Sequence, residues 1–324
     1  ATPAPVERIL EGAGGRVVVG EGILGRVPEY LGKATPPFVV ADALTGPLFA
    51  PRLGETRGLP LLPRGEEAKT QEQVNWLYRS LSAAGVDRSG TVAALGGGTV
   101  GDTAGFAAAT WMRGVDLVQC PTTLLAQVDS AMGGKTGINL PEGKNLVGTF
   151  HQPVLVLSDV SCLSSLSGKD YRQGLAEMVK YGLGEDPAFF DWLEKHAREL
   201  AERQSRPLVE AIGRCAQLKL AVVAQDEKEK TGARARLNLG HTVGHALEAA
   251  GKYEEWQHGD AVAAGLVVAA HLAYRMGSCG EKLLLRLDAL LEELGLPRRP
   301  DRPWEQLERY LARDKKFREG NPRL

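Results

Sequence analysis

Cysteine is scarce and unpatterned. Cys120, Cys162, Cys215 and Cys279 lie far apart, without paired metal or redox spacing, which excludes a disulfide scaffold or a zinc ribbon and suits the reduced thiols of a cytoplasmic chain. Net charge is also nearly absent: at a formal −1 the chain exerts no global pull on polyanions, so nucleic acid is not an expected partner. The longest apolar run, Ala261 to Ala270, falls short of the roughly 18 to 20 residues a membrane span needs and reads as a buried helix, so no membrane association is expected. The start, Ala1-Thr2-Pro3-Ala4-Pro5, lacks the basic stretch and apolar block of a secretory signal. Internal repeats, low-complexity segments and heptads are missing too. Histidine is the informative scarcity. Of six in the chain, three (His241, His245 and His258) fall within eighteen residues, a concentration that asks for a chemical explanation because imidazole is a common ligand of zinc-like ions.

What is present divides the chain in two, as 324 residues lead one to expect. Up to about residue 160, short near-continuously apolar runs recur at Arg16–Val19, Phe38–Ala41, Thr91–Leu95, Asp116–Gln119 and Val154–Leu157. Continuous rather than alternating apolar character belongs to parallel strands covered on both faces, with helices such as Lys69–Ala84 and Thr99–Thr110 as the covering layers. Beyond that point strands vanish. Asp186-Pro187 caps a helix over Ala188–Leu200, Pro207 opens one running toward Gln225, and Lys282–Leu294 ends at Gly295-Leu296-Pro297. The expected organisation is an α/β domain over residues 1–160 and an all-helical domain over 161–324.

Four groups of residues carry chemistry. The run Thr91–Leu95 feeds directly into Gly96-Gly97-Gly98-Thr99-Val100-Gly101-Asp102 and a small-residue helix. Strand, glycines and helix together hold a pyrophosphate, because backbone without Cβ atoms approaches the phosphates and the helix N-terminus offers free N–H groups. Asp102 would be repelled by phosphate, which places it beside the nicotinamide or the ribose; the run departs from GxGxxG, so the nucleotide pose is non-standard. Two glycine–lysine segments follow, Gly133-Gly134-Lys135 and Gly143-Lys144-Asn145, suited to an anion or, more plainly, to solvated loops. Glu177 lies among apolar neighbours with Lys180 one turn on, either as a surface ion pair or as a buried carboxylate in need of a counter-charge. His241 and His245 share a helix face, and Glu177 with His241 and His258 makes three protein ligands, as in catalytic zinc sites. Arg234, four residues before Asn238, points to the His241 side if the stretch is helical.

With these pieces assembled, the chain resembles the 3-dehydroquinate synthases of the sugar-phosphate cyclase superfamily. The matching runs include 96–102, Pro121-Thr122-Thr123, Val128-Asp129-Ser130, 133–139, Gly143-Lys144-Asn145-Leu146, Ala176-Glu177-x-x-Lys180, Asn238-x-Gly240-His241-Thr242-x-Gly244-His245 and His258-Gly259, in the expected order over residues 60 to 316. The resemblance implies a Rossmann-like NAD-binding N-terminal domain, an all-helical C-terminal metal-binding domain and a homodimer. NAD would be held by Asp42, Glu66, Lys69, Gly97, Gly98, Thr99, Asp102, Thr122, Thr123 and Lys144, and one divalent ion, zinc or cobalt, by Glu177, His241 and His258. The sugar-phosphate substrate, 3-deoxy-D-arabino-heptulosonate 7-phosphate, would meet Arg113, Asp129, Lys135, Asn145, Lys180, Lys219, Arg234, Asn238, His245 and Lys315 or Lys316. The catalytic set would be His245, Lys135, Asn145, Asp129 and Glu229. The last enters by a shift of register, because Lys230 occupies the place four before Arg234 where the family carries a glutamate.

The implied reaction is a step of the shikimate pathway toward aromatic amino acids: transient oxidation by NAD, phosphate elimination, reduction and intramolecular aldol closure to 3-dehydroquinate. A metal-dependent alcohol dehydrogenase of the glycerol dehydrogenase type shares the two-domain plan but has no use for so many anion-binding residues. Cyclases making inosose or valiolone rings are nearer, and the Gly-Gly-Lys-Thr-Gly-Ile-Asn and Gly-Lys-Asn-Leu runs favour the dehydroquinate branch.

Overall fold

The structure, a computed structural model, describes residues 7–12, 14–252 and 254–311. They form two compact units, one drawn from Ala1–Leu166 with Leu208–Lys228, the other from Ser167–Pro207 with Glu229–Leu324. The switch from strands to helices does fall near residue 160, but residues 208–228 return to the first unit.

The first unit contains the strands β1 (Arg8–Gly12), β2 (Gly15–Gly20), β3 (Phe38–Asp42), β4 (Leu61–Leu62), β5 (Thr91–Gly96), β6 (Asp116–Pro121), β7 (Lys135–Leu140), β8 (Gly143–Phe150) and β9 (Leu155–Asp159) and the helices α1 (Val27–Leu31), α2 (Thr45–Phe49), α3 (Gln71–Ala83) and α4 (Gly98–Thr110). Seven strands make one sheet in the order β1-β2-β9-β6-β5-β3-β4, parallel throughout except for the antiparallel edge pair β1–β2. The continuous apolar runs are explained by two cores on opposite faces. Val39, Ala41, Ala93 and Leu95 pack with Leu24, Val27, Phe49 and Leu53 on one face, while Phe38, Val40, Val92 and Ala94 pack with Leu77, Leu81, Val100 and Ala104 on the other. The buried Asp159 carboxylate ends β9 by accepting from Gly22 N (2.8 Å), Leu24 N (3.1 Å) and Ser161 N (2.9 Å), so the turn after β2 is tied to the sheet.

One expectation fails here. The two glycine–lysine segments are not simply solvated loops: Lys135 opens β7 and Gly143-Lys144-Asn145 opens β8 of an antiparallel hairpin, while Gly133 and Gly134 precede it. Two of its glycines are required by close strand approach, since a Cβ on Gly137 would lie 2.6 Å from the Val147 carbonyl oxygen and one on Gly148 2.2 Å from that of Thr136. Gly105 of α4 likewise makes room for Thr136, whose Cγ2 would lie 2.6 Å from an added Cβ.

The second unit holds α5 (Gly168–Gly184), α6 (Pro187–Ala201), the first residues of α7 (Ser205–Gln225), then α8 (His241–Ala250), α9 (His258–Arg275), α10 (Glu281–Glu293) and α11 (Trp304–Leu311). Strands are absent from its described residues. Asp186 caps α6 by accepting from Ala188 N at 3.0 Å, and Gly295, at φ 66°, follows α10 in the left-handed conformation glycine favours. Helix α7 starts two residues before the expected Pro207. Arg234 does not share a helix with His241: residues Ala233–Asn238 form a separate 3-10 turn, and Gly240, at φ 77°, intervenes.

Candidate active site

Three helices bring Glu177, His241 and His258 together. Glu177 sits in the middle of α5 and is fully buried, His241 opens α8 and His258 opens α9. Their approach depends on the absence of side chains. A Cβ on Gly265 of α9 would stand 2.0 Å from the Gly240 carbonyl oxygen, one on Gly244 of α8 3.3 Å from Ala261 of α9, and one on Gly259 2.5 Å from Cα of Gln173 on α5. The amide of Gly259 donates to the Gln173 side-chain oxygen at 2.5 Å, fixing the start of α9 against α5.

His258 Nε2 lies 3.4 Å and His241 Nε2 3.6 Å from the same Glu177 oxygen, and the donor atoms of the three residues all fall within 4.8 Å of one another. Donors bound to a tetrahedral zinc at roughly 2.0–2.1 Å stand about 3.4 Å apart, so the residues present fit a divalent cation. Burial keeps His241 neutral, its pKa pulled down to about 3 despite Glu177, and a neutral imidazole is the form that ligates. At His258 burial also pulls downward, but hydrogen bonds to Glu177 and Glu248 outweigh it and raise the pKa to about 10. Lys180 is paired with Glu177 one turn along α5, both side chains buried, which replaces the surface ion pair allowed by spacing alone with an interior one. His245 is exposed, its ring centre 5.6 Å from that of His241, beside the trio but outside it.

Glu248 was not singled out in the sequence. It lies on α8 with one oxygen 3.4 Å from His258 Nδ1, and its only sequence signal is its place seven residues after His241, on the same helix face. A carboxylate behind a ligating imidazole fixes the ring and raises its basicity. Glu248→Gln is therefore expected to weaken zinc affinity by about 10-fold or more, read by competition with a chromophoric chelator. Wild-type affinity in that variant would show that His258 is oriented without it.

In the first unit, β3, β5 and β6 end side by side. Gly97 caps α4 without a side-chain hydrogen bond, leaving the first amides of Gly98, Thr99 and Val100 open to a ligand. The surrounding space is tight: a Cβ on Gly97 would lie 3.1 Å from Thr123 Cγ2, and one on Gly98 3.0 Å from Ser130 Oγ. Thr122 is buried beside this turn, its amide donating to the Gly96 carbonyl at 2.9 Å and its hydroxyl without a partner among the described residues. Open amides, missing Cβ atoms and an unsatisfied buried hydroxyl fit a dinucleotide phosphate. Asp42 accepts from Leu44 N and Thr45 N, closing the turn after β3. Burial holds the Asp102 carboxyl above its ordinary range against the pull of Lys69, whose Nζ donates to it at 2.6 Å. The same ammonium donates to Asn145 Oδ1 at 2.5 Å, and Asn139 Nδ2 donates to Glu66 at 2.5 Å, so four of the expected residues are joined through a fifth that sequence reasoning left unassigned.

Lys219, ninety residues along the chain, donates to both the carboxylate and the carbonyl of Asp129, at 2.7 and 2.6 Å. Lys135 and Lys144 are exposed on the hairpin, and the exposed Arg113 follows Met112 in consecutive left-handed conformations, φ 68° and 52°. In the second unit Arg234 is buried, Asn238 half-buried and Glu229 exposed. Lys315 and Lys316 lie outside the described residues.

A parallel sheet with an open helix N-terminus, in one chain with a helical unit bearing a two-histidine, one-glutamate cluster, fits the class of dinucleotide- and metal-dependent enzymes. The structure is similar to the 2-epi-5-epi-valiolone synthase ValA of Streptomyces hygroscopicus subsp. jinggangensis 5008 with NAD+ and Zn2+ bound, at TM-score 0.85 and 30% identity over 96% of this chain and 89% of that one. It is also similar to a 2-deoxy-scyllo-inosose synthase complexed with carbaglucose-6-phosphate, NAD+ and Co2+, at TM-score 0.82 and 29% identity, over 96% and 88%. Sequence comparison is narrower. Family models for the 3-dehydroquinate synthase N-terminal and C-terminal parts match residues 60–173 and 174–317, and the 3-dehydroquinate synthase of Halorhodospira halophila is 48% identical over 95% of this chain and 88% of its own length. The chain belongs to the 3-dehydroquinate synthase family.

Proposed function

We infer that the chain converts 3-deoxy-D-arabino-heptulosonate 7-phosphate into 3-dehydroquinate and phosphate, a carbon–oxygen lyase reaction. The observation that carries this is the convergence of Glu177, His241 and His258 within 4.8 Å in a chain of this family. When bound, NAD+ takes up and returns a hydride at a ring carbon and the divalent cation supplies a Lewis acid toward ring oxygens.

The chain's own residues then bind, orient and move protons. Glu177, His241 and His258 hold the cation, and Asp42, Glu66, Lys69, Gly97, Gly98, Thr99, Asp102, Thr122, Thr123 and Lys144 hold the dinucleotide. The substrate's phosphate and carboxylate are bound by cations and amides drawn from Arg113, Lys135, Asn145, Lys180, Lys219, Arg234 and Asn238, with Lys315 or Lys316 in addition. His245, exposed next to the trio, carries protons between substrate atoms, with Asp129, Lys135, Asn145 and Glu229 completing the catalytic set. The Lys219–Asp129 pair supports this reading, because a carboxylate tethered at both its backbone and its side chain presents a fixed charge. We place the enzyme in the cytoplasm, in keeping with its four free cysteines, and as a homodimer. Among the described residues no helix is long and apolar enough to cross a membrane.

Phosphate release from the heptulosonate phosphate, followed with NAD+ and Zn2+ or Co2+ present, is the test. Turnover without net accumulation of NADH is expected. Steady accumulation would instead favour the glycerol-dehydrogenase-type reading, which the 48% identity to a named synthase leaves with less support.

A further inference from the structure

We propose that Asn139 is the positioning residue of the dinucleotide site, holding Glu66 with its side-chain amide and the left-handed Asn145 with its side-chain carbonyl. This rests on the proposed function, which gives Glu66 to the dinucleotide and Asn145 to the reacting substrate. The starting observation is a break in the hairpin. Strands β7 and β8 pair regularly from Lys135↔Phe150 to Ile138↔Val147, then resume at Leu140↔Gly143, so Asn139 alone faces Lys144, Asn145 and Leu146. Such bulges re-aim a side chain and free backbone groups from the ladder.

Asn139 makes three hydrogen bonds at the break. The Asn139 amide donates to the Lys69 carbonyl at 2.8 Å, its Oδ1 accepts from Asn145 N at 2.9 Å, and its Nδ2 donates to Glu66 Oε2 at 2.5 Å. Asn145, at φ 55°, is held in a conformation costly for most residues, and its own Oδ1 accepts from Lys69 Nζ. The ring of contacts from Asn139 to Lys69 to Asn145 and back thus has one arm to Glu66 and another, through Lys69, to Asp102. Only a primary amide offers a donor and an acceptor on one short planar group, which this place needs at once: aspartate lacks the donor and alanine has neither.

Asn139→Asp separates the two arms. The acceptor for Asn145 N remains, so the bulge is kept, while a carboxylate now faces Glu66. In the full chain with Zn2+ present, the dissociation constant for NAD+ in this variant is expected to rise about 10-fold, with kcat at saturating NAD+ within about twofold of wild type. Asn139→Ala loses both arms and is expected to lower kcat about 10-fold in addition. Adding Asn139→Asp to Glu66→Ala is expected to weaken NAD+ binding no further than Glu66→Ala alone, because the residue acts through Glu66; a general structural role would make the losses add. Unchanged NAD+ affinity in Asn139→Asp, or additive losses in the double variant, overturns the proposal. Failure of the underlying reading is distinguishable: the wild-type chain would then bind no NAD+, or release no phosphate from the heptulosonate phosphate.

Discussion

His258→Ala is expected to abolish stoichiometric zinc or cobalt binding and to lower turnover by at least about a thousandfold, the loss that follows when a Lewis acid supplying several kcal/mol is removed. NAD+ binding should persist. The separation follows from where the residues reside: the trio lies wholly in the unit of Ser167–Pro207 and Glu229–Leu324, whereas the dinucleotide candidates lie wholly in the other. Removing His258 leaves Glu177 and His241, a pair of donors and no longer three. Metal content by mass spectrometry beside an NAD+ titration of the same sample reads both halves of the expectation. Normal metal content in the variant would refute the site.

The second large effect is structural in origin. Gly265→Ala is expected to destabilise the protein by at least about 3 kcal/mol and to deplete it of metal, since packed backbone has no room for the added methyl. The neighbour it would meet is the Gly240 carbonyl oxygen at 2.0 Å, which cannot swing aside as a flexible side chain would. Helices α8 and α9 would have to part, carrying His241 away from His258. Gly168→Ala is the control, because an added Cβ there meets nothing within 4 Å and should leave urea unfolding and metal content near wild type. Wild-type behaviour of Gly265→Ala would mean that close crossing of these helices is not what assembles the ligands.

Much of the fold was legible because burial on both sheet faces leaves a strong mark: Phe38–Ala41 and Val92–Leu95 are apolar throughout, and the strands Phe38–Asp42 and Thr91–Gly96 match the expected runs to within a residue. The hairpin was hidden for the opposite reason. Its residues Lys135, Gly137, Gly143, Lys144 and Gly148 have the composition of loops, and only the contact of the two backbones explains the glycines. The meeting of Glu177, His241 and His258 was legible through the rarity of histidine and the isolation of Glu177 among apolar neighbours. Glu248 and Asn139 were not, since each acts on another site residue, and such a role has no spacing of its own. Arg234 and Asn238 do share a helical stretch, but it is a 3-10 turn that ends at Asn238, and Leu239 and Gly240 separate it from α8 and His241.

Residues 208–228 belong with the sheet although helical segments of the other unit precede and follow them, and through Lys219 they reach Asp129, while a Cβ on Gly12 would meet Leu220 at 2.7 Å. The chain therefore passes between its units at three junctions. Exchange of either unit with that of a relative could not be made as one contiguous gene segment: a graft spanning residues 1–166 alone would import a sheet whose matching helix stayed behind in the host.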